Sequence, residues 1–380
     1  MGSLTSRRFG VSDRRSHRSL QRSPYDNRFV GSTGDSMTTK DTDMPAESAP
    51  APAPVAVMSQ MLGGFQVSQA LYVIAKLDIA TLLDDGPLSL DELARRTGAH
   101  AGVLRRLVRT LASIGVFATD GDLVRTTPLG AVLSRRHPAS LHAVAHFWME
   151  THYRPFGELL RTARTGETAA TYQLGEHFFN WIAADPDRSA LQSRAMAEVT
   201  AGLRAGMFDS YELPDGAVVA DIGGADGAVL LTLLARHPGR RGIVFDLPGV
   251  VPTAEARIRE AGLADRVVTS GGDFFAEVPE ADIYVLAYIL HDWDDASALR
   301  ILGSIAAAAK PGARLLIVEG IVPEGDVAHL TKMVDLTMLA VNTGGERTAA
   351  EYRNLLSTAG FTLDSIVNTP SPFSIIEATL

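Results

Sequence analysis

The stretch from Val218 to Gly227, VVADIGGADG, constrains this chain most. A β-branched run ends in Asp221, and a glycine-rich turn follows. Ala228 to Pro238 then continues at the apolar spacing of a helix, and Gly242 to Pro248, GIVFDLP, gives a second short strand that also ends in an acid, Asp246. That is half of a nucleotide-binding α/β unit. Glycines at such a turn let the backbone approach a ligand closely, and the acid closing the second strand is placed to accept hydrogen bonds from ribose hydroxyls. Alone, the unit fits NAD, FAD or S-adenosylmethionine, or a tight turn in some other α/β sheet.

The rest of the chain narrows that choice. At 380 residues and 46% apolar content it has enough material for more than one buried core. A formal net charge of -9 argues against a nucleic-acid partner held by overall charge. The complete lack of cysteine excludes disulfides, thiolate catalysis and cysteine-ligated metals, which fits a cytoplasmic enzyme. The longest apolar runs, such as Ile283 to Leu290, are too short to span a bilayer, so no membrane partner is expected. Residues 1–54 scatter arginines among serines and end in DTDMPAESAPAPAP; with so little to bury, they read as a disordered leader and linker.

Residues 55–140 read as a winged helix. Val57 to Leu83 has helical apolar spacing, Ser89 can cap a helix that Gly98 ends, Ala101 to Ile114 is a second helix, and Asp120-Gly121 sits between two β-prone runs. Arg105, Arg106 and Arg109 on the second helix would suit DNA contacts. They equally describe a solvated face, and helices apolar on more than one side point instead to a dimer interface. Residues 141–211 are helix-rich and concentrate large side chains, among them Phe147, Trp148 and Met196, suited to walling an apolar cleft for a planar substrate. His142 and His146 are one helical turn apart, but no acid at a matching spacing completes a ligand set, so no metal is expected.

Within residues 212–380, three later strands each deliver an ionisable side chain to the carboxyl edge of the sheet, where ligands bind: Asp273 after DRVVTSGG, His291 after IYVLAYIL, and Glu319 at the end of ARLLIVE. VNTGGERT then carries Asn342 and Glu346 on a glycine-rich turn, with Thr348 placed to cap the next helix. Two closing β-like runs, Phe361 to Val367 and Pro372 to Thr379, favour a methyltransferase sheet over that of a dehydrogenase.

Taken in order, DIGGADG, FDLP, GGDF, HDW, Val318 with Glu319, and NTGGERT resemble the S-adenosylmethionine-dependent O-methyltransferases that act on phenolic and polyketide natural products in plants and actinobacteria, over roughly residues 57–380. The resemblance implies an α/β fold: a Rossmann-like, seven-stranded class I methyltransferase domain preceded by an α-helical winged-helix dimerisation domain, in a homodimer. It implies that Asp246 holds the ribose, Asp273 and Phe274 meet the adenine, Gly223 lies beneath the methionine part and Thr200 near its carboxylate, with Asp221 and Leu247 completing the cofactor set. It implies His291 as general base, oriented by Glu319 first and Glu346 second, with Met338 and Asn342 touching an aromatic substrate. Two positions depart from the pattern. Ala225 stands at the family's middle glycine, which is tolerable only if that position needs no positive φ, and Ala287 replaces a cationic or bulky residue common in the plant enzymes. Relatives with this fold also include hydroxylases, decarboxylases and N-methyltransferases, which remain alternatives, as does a winged-helix DNA-binding regulator that senses a small molecule.

Overall fold

The computed structural model describes residues 53–380; the expected leader over residues 1–54 falls outside them except for its last two positions. Helices Pro54–Leu62 and Gly64–Lys76 open the described part. The first buries no side chain at all, and Met58, Met61, Leu62 and Phe65 stand exposed along the pair. Ala70 and Ile74, by contrast, turn into a small core with Leu93, Leu104, Val108, Leu111 and Val124.

That core is the expected winged helix. Ser89 Oγ accepts the Glu92 amide and starts helix Leu90–Thr97, which ends at Gly98 with φ 68°. Helix Ala101–Ala112 follows, and a hairpin packs on it. Its sheet is β1 (Leu88–Ser89), β2 (Phe117–Asp120) and β3 (Leu123–Thr126) in the order β1-β3-β2. Arg105 pairs with Asp122 at 2.7 Å.

Helix His142–Phe147 runs into a π-helical turn, Trp148–His152, and packs on the long helix Pro186–Leu203. Glu198 of the long helix accepts the free Ala143 and Val144 amides at 2.7 and 3.1 Å, taking over the capping role that Leu141 cannot fill. His142 Nε2 bonds the Ala75 carbonyl at 3.0 Å, joining this layer to the winged helix.

The seven-stranded sheet comprises β4 (Val218–Ile222), β5 (Arg241–Asp246), β6 (Val267–Gly271), β7 (Ile283–Ala287), β8 (Arg314–Glu319), β9 (Thr362–Asn368) and β10 (Ser374–Thr379). Its order is β6-β5-β4-β7-β8-β10-β9, parallel except that β10 runs antiparallel to both neighbours. Both faces are covered, which is why the central strands read as unbroken apolar runs: Ala220, Tyr284 and Leu286 point into one core, Val219, Ile283 and Val285 into the other. The chain reverses its direction of travel across the sheet between β4 and β7, so the crevice at their carboxyl ends is the expected ligand position. The strand expected over Ile283 to Leu290 stops at Ala287, because Tyr288 turns left-handed (φ 61°) and Leu290–Asp292 form a single turn of 3₁₀ helix.

Candidate active site

The glycine turn after β4 is built without room for side chains. A Cβ on Gly223 (φ 74°) would overlap Ile289 Cδ1, and one on Gly224 would come within 2.9 Å of the Asp221 carboxylate. Ala225 is left-handed at φ 48°, so the condition under which an alanine would sit there comfortably is not met. An L-residue in that region costs roughly 1–2 kcal/mol. What holds it is an amide bond: Ala225 N–H donates to Asp246 Oδ2 at 2.8 Å, while Leu247 N–H donates to Oδ1 at 2.7 Å. Asp246 is thereby fixed at the end of β5, half-buried, its pKa raised by burial against the pull of these two amides. Asp221 lies beneath the turn, 1% exposed, with Oδ2 unpartnered; burial pushes its pKa to about 7. A close-approach turn flanked by an acid at a strand end fits an adenosyl amino acid.

Next to the turn, Phe274 packs edge-on against Phe275 and Trp293 at 4.9 and 6.0 Å, and its ring reaches to 3.8 Å from the space over Gly223. Asp273 Oδ1 accepts the Phe275 amide at 2.9 Å. Leu247 is 56% exposed at the same edge.

His291 sits in the 3₁₀ turn after β7. Its Nδ1 lies 2.6 Å from Glu346 Oε1. Glu319 was the expected orienting acid, yet it does not touch the ring. Its Oε1 accepts the backbone amides of Ile289, Leu290 and His291 at 3.1, 2.6 and 3.2 Å, and its Oε2 accepts the Tyr352 hydroxyl. The physical reason is the tight turn: once β7 ends at Ala287, three consecutive amides converge on the end of β8, and a carboxylate there is their strongest available acceptor. Glu346 comes in from the other side on the glycine-rich turn. That turn lies directly on the histidine backbone, for a Cβ on Gly344 would strike the His291 carbonyl and the Trp293 amide.

Two residues that the sequence alone did not single out complete the cluster. Asp292 Oδ1 lies 3.9 Å from His291 Nε2 and accepts Asn342 Nδ2 at 2.6 Å. Arg347, buried, donates to the Leu290 and Trp293 carbonyls at 2.8 and 2.9 Å and to Asp295, pinning the turn that carries His291. Both lie inside motifs already recognised, HDW and NTGGERT, but spacing carries no mark of these roles. Burial works against a charged imidazole here; the charges of Asp292 and Glu346, the Glu346 hydrogen bond and Glu319 outweigh it and raise the His291 pKa to about 10. Burial in turn raises Asp292 to about 6, in spite of the neighbouring imidazolium.

The residues expected to meet substrate are distributed unevenly. Asn342, buried, keeps its Oδ1 unpartnered beside His291's neighbour Asp292, and Met338 lies one turn before it on helix Leu330–Val341. Trp148 and Met196 are exposed, whereas Phe147 is 3% exposed and packs on Phe178 and His152 as core. Thr200, on the long helix, accepts Arg204 Nη1 at 3.1 Å.

Residues 156–362 match the family model described as an O-methyltransferase domain, and residues 59–136 match that of the O-methyltransferase dimerisation domain. The chain is 40% identical to a phenazine O-methyltransferase of Lysobacter antibioticus, over 85% of this chain and 95% of the relative. It is 34% identical to a mitomycin biosynthesis 6-O-methyltransferase of Streptomyces lavendulae, over 90% and 99% of the two chains. Human N-acetylserotonin methyltransferase, solved with S-adenosylmethionine bound, superposes with a TM-score of 0.79 at 28% identity, covering 88% of this chain and 99% of that one. The seven-stranded sheet is thus a class I methyltransferase fold preceded by a helical dimerisation domain. The chain belongs to the O-methyltransferase family, with S-adenosylmethionine as its methyl donor.

Proposed function

We propose that this enzyme methylates a phenolic hydroxyl of an aromatic or polyketide-type small molecule, with His291 Nε2 taking the proton of the attacking oxygen. The observation that carries the reading is the 2.6 Å bond between His291 Nδ1 and Glu346 Oε1 at the carboxyl edge of the sheet. An ionised carboxylate only accepts, so Nδ1 carries the hydrogen and Nε2 is the nitrogen that exchanges a proton. The relatives named for phenazine and mitomycin support an aromatic acceptor.

When bound, S-adenosylmethionine supplies a methyl group activated by a positively charged sulfur, and that charge also opposes the imidazolium. The chain's own tasks are alignment, exclusion of water and removal of one proton. Asp246 would hold the ribose, Asp273, Phe274 and Leu247 the adenine, and Asp221 and Gly223 would shape the floor of the methionine site beside Thr200. Alignment of this kind contributes up to roughly 7–11 kcal/mol. Phe274, Phe275 and Trp293 pack into one apolar cluster, which would keep water from the donor side of the site. On the substrate side, Asn342 Oδ1 and Met338 face the acceptor, with Trp148 and Met196 from residues 141–211 closing over it.

Residues 55–140 serve dimerisation in this reading, and residues 212–380 carry the donor. The exposed row Met58, Met61, Leu62 and Phe65 supports a homodimer rather than DNA contact. Labelled-methyl transfer onto a panel of phenols, naphthols and hydroxyphenazines tests the function. Label on a hydroxyl oxygen is expected; label only on amines, or none on any member while the donor binds, would overturn it.

A further inference from the structure

Arg204, which ends the long helix Pro186–Leu203, is a cation that forms no ion pair among the described residues. Its guanidinium carbon lies 3.0 Å above the centre of the Tyr288 ring, and Phe373 stands edge-on to that ring at 4.8 Å, its own centre 5.8 Å from the guanidinium. Nη1 donates to Thr200 Oγ1, but Nε is buried without a partner, and none of the ion pairs among the described residues involves Arg204. Burial lowers its pKa to about 10. The Tyr288 hydroxyl is likewise buried, with Arg204 the one polar side chain acting on it at hydrogen-bond range among the described residues. A buried guanidinium with Nε unsatisfied, stacked on a tyrosine whose hydroxyl has a proton to give, is a costly arrangement unless an acceptor comes beside them.

The place matters as much as the chemistry. Tyr288 follows β7 directly at the switch point next to β4, and its ring centre is 6.1 Å from that of His291. On the other side lies the glycine turn: Asp226 is close enough to act on the Arg204 charge, although it is itself paired with Arg257. Around this crevice the chain sets acids: Asp221, Asp246, Asp292, Glu319 and Glu346. A sulfonium and an ammonium suit such surroundings. The donor's one anionic group does not, and among the described residues around the crevice Arg204 is the cation that has no carboxylate paired with it.

We propose that Arg204, with Thr200 and the Tyr288 hydroxyl, seats the carboxylate of the bound methyl donor. The proposal rests on the S-adenosylmethionine reading and adds Arg204 and Tyr288 to the residues so far assigned. It also explains how the missing cationic side chain at Ala287 is tolerated, since the charge arrives from the long helix instead of from β7. A charge-assisted pair of this kind is worth roughly 10-fold to 100-fold in affinity.

The test is calorimetric titration of wild type, Arg204→Met and Arg204→Lys with S-adenosylhomocysteine and with its decarboxylated analogue. Wild type should bind S-adenosylhomocysteine roughly 10-fold to 100-fold more tightly than the analogue. Arg204→Met should lose that difference, keeping its affinity for the analogue, and Arg204→Lys should keep part of it. Because the unliganded protein carries an unpaired buried charge, Arg204→Met without ligand should resist urea as well as or better than wild type. Equal affinity of Arg204→Met and wild type for S-adenosylhomocysteine overturns the proposal, as does a parallel loss for both ligands. A rise confined to the KM of carboxylate-bearing acceptors would give the site to the acceptor and overturn it too. Failure of wild type to bind S-adenosylhomocysteine at all would strike the donor reading itself, and is thereby distinct.

Discussion

Glu346 Oε1 lies 2.6 Å from His291 Nδ1 across 55 residues of sequence, while Glu319, nearer in the sheet, bonds the backbone amides of the same turn and the Tyr352 hydroxyl but not the ring. The two acids therefore have separable duties. One sets the tautomer and charge of the ring, and the other holds the ring's main chain in place.

Substitution should separate them. Glu346→Gln removes the charge but leaves a polar group of the same shape; we expect kcat to fall by roughly 10²-fold with donor affinity unchanged within a factor of about three. Glu319→Ala strands three buried amides and the Tyr352 hydroxyl, and should lower stability by about 3–5 kcal/mol in urea denaturation. Equal effects of the two variants on stability would contradict this division.

The pH dependence follows from the sign of the His291 shift. Its folded pKa of about 10 lies above the ordinary histidine value of about 6.5. Its contribution to stability is thus complete below about pH 6.5 and disappears as pH rises through about 10. Activity runs the other way, since a base must be unprotonated, so kcat/KM for an acceptor that does not itself ionise should climb over the same range. Titration of the ring carbons by NMR should show the Glu346→Gln midpoint displaced to lower pH. A midpoint that stays put would mean the carboxylate is not what holds the proton.

Ala225 offers a gain rather than a loss. Its φ of 48° lies in the region that favours glycine, so Ala225→Gly should relieve backbone strain. Part of that gain is offset by the greater freedom of glycine in the unfolded chain, roughly 0.4–1 kcal/mol. A net stabilisation of up to about 1 kcal/mol is expected, read as a higher urea midpoint at unchanged slope. A lower midpoint would show that the methyl group makes a contact outweighing the strain.

The architecture was legible in the sequence because central parallel strands, cap residues and glycine turns each leave local marks: Ser89 and Thr348 cap as expected, and β4 to β8 follow the apolar runs. The site was legible as to which residues reach the sheet edge. Their partners were not. A strand-end position fixes where Glu319 begins, but the direction of its carboxylate was decided by the amides that Tyr288's left-handed turn aimed at it. Nor could spacing show that Phe147 turns inward while its neighbour Trp148 faces out, because both lie where the helix changes to π-helical pitch.

The dimer expectation is open to a direct check. Introducing charge at Met61→Glu and Phe65→Glu puts two acids into the exposed row of the first helices, and light scattering should then report monomers in place of dimers, with the fold retained by circular dichroism. Persistent dimers in the double variant would move the interface elsewhere.

If His291 is the base, the His291→Ala variant should keep the donor site and lose the chemistry. Donor binding measured by calorimetry together with single-turnover methyl transfer separates site integrity from chemistry. S-adenosylhomocysteine should bind within about threefold of wild type while transfer slows by roughly 10²–10⁴-fold. Transfer at the wild-type rate with the ring removed would contradict the base assignment.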